Sequence, residues 1–192
     1  IMQTPRDISI IGLKDLNDPF NTPGYYYTPY GITNPYWVLE NYENKYSSER
    51  FYGKFQFDFD ILKNLKFTYR LGMDTETSQS DFGEPNLVAL FGTGTWNGEN
   101  GASTFDGNEG SYSESMTRRM EINHDIMLNF NQKFGDINLN ALAGFNGNQR
   151  NSNGFGAGIT KLTIPTWYDL SNTTSAPSVS QSKSMRRLMR AY

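Results

Sequence analysis

The side chains that usually do chemistry are thinly spread along these 192 residues. There is one histidine, His124, and no cysteine. A lone imidazole forms neither a triad nor a metal cluster, and a chain without thiols has no cysteine nucleophile, thiolate metal site or disulfide frame. Asp81-Phe82-Gly83 spells a kinase triplet, but no glycine-rich loop after a strand and no catalytic-loop pattern accompany it. Gly92, Gly94 and Gly98 lack the βαβ surroundings of a dinucleotide fingerprint. Asp106, Asn108 and Glu109 offer oxygen ligands to a hard cation such as calcium, without EF-hand spacing, and read as a solvated turn. Asn172-Thr173-Thr174 fits a glycosylation triplet. The expectation is a chain with no catalytic residues, no cofactor and no metal, and not an enzyme.

Charge narrows the field further. Seventeen Lys and Arg against 20 Asp and Glu leave a net −3, and the only dense basic cluster is Arg186, Arg187 and Arg190. Nucleic-acid binding normally needs a broader positive footprint, so no nucleic-acid partner is expected. Apolar residues make up 36% and aromatics 15%, with many Gly and Asn, a mix that favours strands joined by polar loops. No apolar run approaches the length of a spanning helix, and no signal peptide is visible. The expectation is a segment of a larger protein.

The elements that must position any functional side chain are strands. In Arg50 to Asp74, Phe51, Phe55, Phe57 and Phe59 fall on odd positions, and Lys54, Gln56, Asp58 and Asp60 on even ones. After a short break Leu65, Phe67, Tyr69, Leu71 and Met73 continue the odd side against Lys66, Thr68 and Arg70. Period-two alternation marks a two-faced strand. The pattern predicts strands at about 50–60, 65–74, 116–130, 137–148 and 184–192. In the third, His124 shares its side with Ile122 and Ile126, opposite Glu121, Asn123 and Asp125.

Connections alternate in length. Long loops are expected at about 1–49, 75–115 and 149–183, short turns at 61–64 and 131–136. Structureless loops beyond about 15 residues are uncommon in compact domains. Short turns at one end, long loops at the other and alternating strands of about ten residues are the pattern of outer-membrane barrels. The expected fold class is all-β, part of a large antiparallel transmembrane β-barrel, since only closure satisfies strand backbones in hydrocarbon. The odd face would meet lipid, and Lys54, Asp58, Asp60, Lys66, Arg70, Glu121 and Asp125 would line a wet or plugged lumen. Aromatics in the long loops, Tyr25, Tyr26, Tyr27, Tyr30, Tyr36, Trp37, Trp96, Trp167 and Tyr168, are candidate contacts to a substrate or lid, or packing for the loops themselves.

Asn34-Pro-Tyr-Trp37, the run from it to Asp74, and Phe134 to Phe145 (FGDINLNALAGF) resemble the SusC/RagA-type TonB-dependent outer-membrane transporters. Trp167 to Asn172 (WYDLSN) and the closing RRLMRAY add weaker likeness in the same order. The resemblance implies a 22-stranded barrel with an N-terminal plug, which these residues do not include. It implies nutrient import, of glycans or peptides, in the outer membrane of a Gram-negative bacterium. Its implied partners are a SusD-like surface lipoprotein as lid, TonB acting through the plug, outer-membrane lipid and the nutrient itself. Two rival readings stand beside it: a soluble β-sandwich carbohydrate-binding module, and another outer-membrane barrel such as a porin or siderophore receptor.

Overall fold

A computed structural model describes residues 9–23, 34–91 and 108–192. Five strands, β1 (Glu43–Leu62), β2 (Leu65–Glu84), β3 (Ser111–Phe134), β4 (Ile137–Thr160) and β5 (Ser178–Ala191), form one antiparallel sheet in the order β1-β2-β3-β4-β5. Each strand pairs with its neighbour in sequence, and the sheet does not close on itself. Two tight turns join β1 to β2 at Lys63-Asn64 and β3 to β4 at Gly135-Asp136. Gly135 takes φ 58°, a left-handed conformation that a residue without Cβ adopts freely. No helix is long and apolar enough to cross a membrane, a statement that does not bear on strands.

Side-chain pairs across the strands set the register. Thr68 Oγ1 donates to Asp58 Oδ1 at 2.6 Å, and Arg70 Nε to Gln56 Oε1 at 3.0 Å, so even positions of β1 and β2 share a face. Asn148 Nδ2 donates to Glu121 Oε1 at 2.7 Å, and Arg150 Nε to Glu121 Oε2 at 3.0 Å, which puts odd positions of β3 with even positions of β4. Glu76 and Arg119 link β2 to β3 on that same face. The opposite face is apolar and open. Half or more of Phe51, Phe55, Phe57 and Phe59 is exposed, and Ile126, Leu128, Leu139 and Phe145 are exposed beside them.

The strands are longer than the alternation predicts. β1 begins at Glu43 and not about 50, β2 runs on to Glu84, β3 begins at Ser111, β4 reaches Thr160 and β5 begins at Ser178. The added segments, such as ENKYSSE and TETSQSD, are polar on both sides. Ladder hydrogen bonds need no apolar face, so hydropathy marks where the apolar band stops and not where the strand stops. The segment expected as irregular loop before 50 holds helix α1 (Pro35–Asn41) and two 3-10 turns, and the next long loop holds helix α2 (Leu87–Phe91).

The chain divides into two compact units, each crossed by all five strands. Unit 1 comprises Ile1–Lys45, Ser80–Glu114 and Gly156–Val179. It carries both small hydrophobic clusters: Trp37 and Leu87, packed by Leu16, Tyr42, Val88 and Phe91, and then Tyr112, Ile159 and Leu162, packed by Tyr168 and Leu170. Unit 2 comprises Tyr46–Gln79, Ser115–Phe155 and Ser180–Tyr192, and holds both tight turns.

Candidate functional site

The polar face of unit 2 gathers charge from four strands. Arg50 grips Asp74 with both ends of its fork, Nε to Oδ1 at 2.9 Å and Nη2 to Oδ2 at 2.5 Å. Arg150 grips Glu121 through Nε at 3.0 Å and Nη2 at 2.8 Å. Arg119 Nη1 stands 4.0 Å from Glu76 Oε2. These six side chains line one recess of about 330 Å³. Strand pairing brings opposite charges opposite one another, which is why the recess is a lattice of ion pairs and not a single-sign field. The pairs are substantially exposed, with arginine side chains 59 to 67% open. Exposed pairs exchange partners at little cost. The surface can therefore offer either sign to a polar solute or a protein segment.

The residues expected on this face are brought together there. Asp58 accepts from Thr68 at 2.6 Å and Gln56 at 2.8 Å, and Lys66 Nζ lies 3.7 Å away. Arg70 holds Gln56. Asp125 accepts from Asn146 at 2.5 Å and Asn123 at 3.2 Å, beside Glu121. Lys54 borders a second recess with Asp74, Glu121 and Asn123, and Asp60 is exposed. Sequence reasoning missed Arg50, Asp74, Glu76, Arg119 and Arg150 as carriers of the lattice. Their signal was parity: once β2 even positions face β3 odd ones, Asp74, Glu121 and Arg150 fall in one row.

His124 sits on the apolar face as its parity requires, and its Nδ1 is 2.8 Å from the Tyr69 hydroxyl. A paired imidazole on that face is a structural residue. Among the described residues no group of three or more His, Asp or Glu side chains could hold a metal ion.

The loop aromatics separate into different fates. Tyr25, Tyr26, Tyr27, Tyr30 and Trp96 lie outside the described residues. Trp167 is about half exposed and stays available to a partner. Trp37 is not: at 5% exposure it is core of unit 1, edge-on to Tyr42 with ring centres 6.3 Å apart. Tyr168 is likewise packed inside unit 1. Its ring stacks on Tyr112 at 6.0 Å, its hydroxyl donates to the Asn41 carbonyl, and a Cβ on Gly83 would meet the ring at 2.5 Å. Burial takes the Trp37 ring out of reach of a partner, whereas Tyr168 is half-buried, with its hydroxyl and one ring face engaged within the unit. Tyr36 is half-buried on α1.

Three buried asparagines, also missed, hold unit 1 together. Asn34 caps α1: its Oδ1 accepts from Tyr36 N at 3.0 Å, while Nδ2 donates to the carbonyls of Leu13 at 2.8 Å and Asn21 at 2.7 Å. Pro35 follows at the first helical turn, where its missing N–H costs nothing. Asn86 donates to Leu162 O at 2.7 Å and accepts from Ala89 N at 2.9 Å. Asn172 donates to Ile164 O and Trp167 O and accepts from Ile164 N. It is 3% exposed with its amide committed, so the glycosylation triplet is closed to modification. Asn108 and Glu109 are likewise engaged, by Glu84 and Lys161, and Asp106 lies outside the described residues.

Electrostatics in unit 1 follow burial. The Tyr42 hydroxyl, 3.4 Å from Glu84 Oε1, is pushed up to about 12 by burial and then by the carboxylate. Tyr168 is raised too, by burial first. Asp169 is held below the ordinary carboxylate range by the Ser171 hydroxyl, at 2.6 Å, and backbone N–H.

No protein-family model matches the chain, and no curated protein matches it. Solved structures do. A chain of the RagAB peptide transporter aligns with a TM-score of 0.57 at 15% identity, covering 82% of this chain and 16% of that one. The RagAB peptide importer in its closed-closed state gives 0.56 at 16% identity over 85% of this chain and 18% of that one. Its open-open state gives 0.54 at 15%, over 80% and 16%. The likeness is one of fold, and this chain spans less than a fifth of the length of each of these three chains.

Proposed function

We propose that the chain is a wall segment of a TonB-dependent outer-membrane β-barrel that imports a nutrient, a glycan or a peptide, together with a SusD-like surface lipoprotein. The observation that carries this reading is the two-faced sheet: one open apolar face and, on four of the same strands, an opposite face of paired charges. From Phe51 to Ile61 the apolar side of β1 spans eleven residues, ten steps along the strand. At about 3.3 Å per residue and a tilt of about 40° it stands about 25 Å tall, the height of the apolar band of such barrels. Both edges, β1 and β5, lack a strand partner among the described residues. Long open edges invite mispairing, and further strands on each side would satisfy them. The likeness to RagAB chains supports the same architecture and its direction of function.

In this role the chain performs no chemistry on the substrate. The polar face is the wetted wall, and its exposed ion pairs exchange between internal partners, a plug and passing solute. A soluble sandwich would need a second sheet over the apolar face, whereas all five strands here belong to one sheet. The test is fractionation of the full-length native protein, followed by identification of what co-purifies in detergent. A heat-modifiable outer-membrane band with a surface lipoprotein is expected. A water-soluble monomer would sink the reading, and a membrane band without a lipoprotein would leave the barrel and remove the lid.

A further inference from the structure

The apolar face of unit 2 has a hollow with a basic mouth. The hollow, about 570 Å³, is walled by Tyr69, Ile122, Ile126, Phe145, Gly147 and Met189. Gly147 leaves the floor open: a Cβ there would make one ordinary contact, with Phe145 Cε1 at 3.6 Å, and only a longer side chain would reach into the space. Inside it the Tyr69 hydroxyl and His124 Nδ1 bond each other at 2.8 Å, and most of the remaining wall is hydrocarbon. The interior is therefore suited to hydrocarbon and not to a polar solute.

At the end of the hollow toward the long connections the chemistry changes. Arg187 borders the hollow and donates from Nε to Gln149 Oε1 at 2.9 Å. The pairing of β3 with β4, seen in Glu121 with Arg150, sets Arg118 opposite Asn153. The pairing of β4 with β5, seen in Gln149 with Arg187, sets Asn153 opposite Lys183. Arg118, Lys183 and Arg187 thus share one face across three adjacent strands, and all three are exposed. The positions between them are Met120, Asn151 and Met185, none of them acidic. Uncompensated cations at the upper edge of an apolar band, beside a dry hollow, complement one kind of ligand: an anionic head attached to acyl chains.

We propose that this face binds a phosphorylated lipid of the outer leaflet, of the lipid A class. Its phosphates rest on Arg118, Lys183 and Arg187, and one acyl chain fills the hollow at Gly147. The proposal rests on the reading of the sheet as a barrel wall with its long connections outward. Each cation near a membrane surface strengthens anionic-lipid binding roughly fivefold.

The experiment uses the full-length protein in detergent micelles. Native mass spectrometry compares retention of diphosphoryl lipid A with that of its dephosphorylated form, which carries the same acyl chains. The wild type should prefer the phosphorylated lipid by tenfold or more. The triple variant Arg118→Gln, Lys183→Gln, Arg187→Gln should lose that preference. Gly147→Leu should weaken both lipids alike and leave the preference intact. Equal retention of both lipids by the wild type overturns the proposal without needing any variant, as does a preference that survives in a heat-modifiable triple variant. A protein absent from the outer membrane would instead end the barrel reading beneath it, and the fractionation result tells the two failures apart.

Discussion

Trp37 and Phe57 are both large aromatic residues, yet one is 5% exposed and the other 50%. Trp37 belongs to unit 1, where Leu16, Tyr42, Leu87, Val88 and Phe91 surround it. Phe57 belongs to unit 2, where its nearest ring is Phe59, stacked at 6.4 Å on the same open face. Unit 1 is built like a small water-soluble domain, with apolar clusters and buried, fully bonded amides. Unit 2 has no such cluster; its strands are tied by backbone ladders and by polar pairs, most of them on one face. The difference teaches what each unit takes as its solvent. On the barrel reading proposed above, a region that buries its aromatics in itself faces water, and one that leaves Phe51, Phe55, Phe57 and Phe59 open on one face meets hydrocarbon.

The largest expected effect that could break this comparison is Trp37→Ala. Removing a buried aromatic side chain costs about 3–5 kcal/mol. Hydrogen exchange in the full-length protein should show residues 35–41 and 87–91 losing protection, with β1 to β4 of unit 2 unchanged. Phe57→Ala should cost far less in a bilayer, because lipid replaces the lost contacts. Equal costs for the two substitutions would mean that Phe57 packs against protein, and the contrast would fail.

Next in size is Asn34→Ala. It strips one hydrogen bond from each of Tyr36 N, Leu13 O and Asn21 O. Leaving buried polar groups unpaired costs about 1–3 kcal/mol for each group that water cannot reach. The same exchange measurement should show α1 fraying. Asn146→Ala, on the open polar face, should leave exchange in β3 and β4 nearly unchanged. A stable Asn34→Ala protein would show that water enters unit 1 and that its amides are not what pins the loops.

These contrasts explain what could be read in advance. The Phe51-Phe55-Phe57-Phe59 alternation announces a two-faced strand because both the pleat and the solvent boundary have a period of two or a sharp edge. It goes silent over Glu43 to Glu49 and Thr75 to Asp81, which are polar on both sides, so the pattern starts β1 too late and ends β2 too early. Asp58, Lys66, Arg70, Glu121 and Asp125 fell on the polar face by parity alone. The lattice they border needed the cross-strand register, which pairs Asp74 with Arg50 over 24 residues of chain and Glu121 with Arg150 over 29. Asn34, Asn86 and Asn172 looked like loop residues because their partners, at Leu13, Leu162 and Ile164, are carbonyls and carry no side-chain signature.

The smallest effect, and the one that sharpens the comparison most, is alkaline titration of Tyr42. Its hydroxyl titrates near 12 in the folded protein against about 10 when exposed, because burial and the Glu84 carboxylate both oppose a phenolate. Below pH 10 the phenol is neutral folded or unfolded, and its favourable contribution is complete. Between about 10 and 12 the unfolded chain gives up the proton while the folded one keeps it, so stability falls as pH rises. Unit 1 should therefore lose exchange protection across that window, in step with tyrosinate absorbance. Tyr42→Phe keeps the ring packed against Trp37 and removes the proton, so its protection should decline less steeply over the same range. Unit 2 shares none of this: its fork between Arg50 and Asp74 is exposed and screened by salt. A pH response of equal slope in both units would show that they unfold as one. A response confined to unit 1 would mean that the loops open without the sheet, the order of events an importer needs when its outer segments admit a ligand and its wall stays in the membrane.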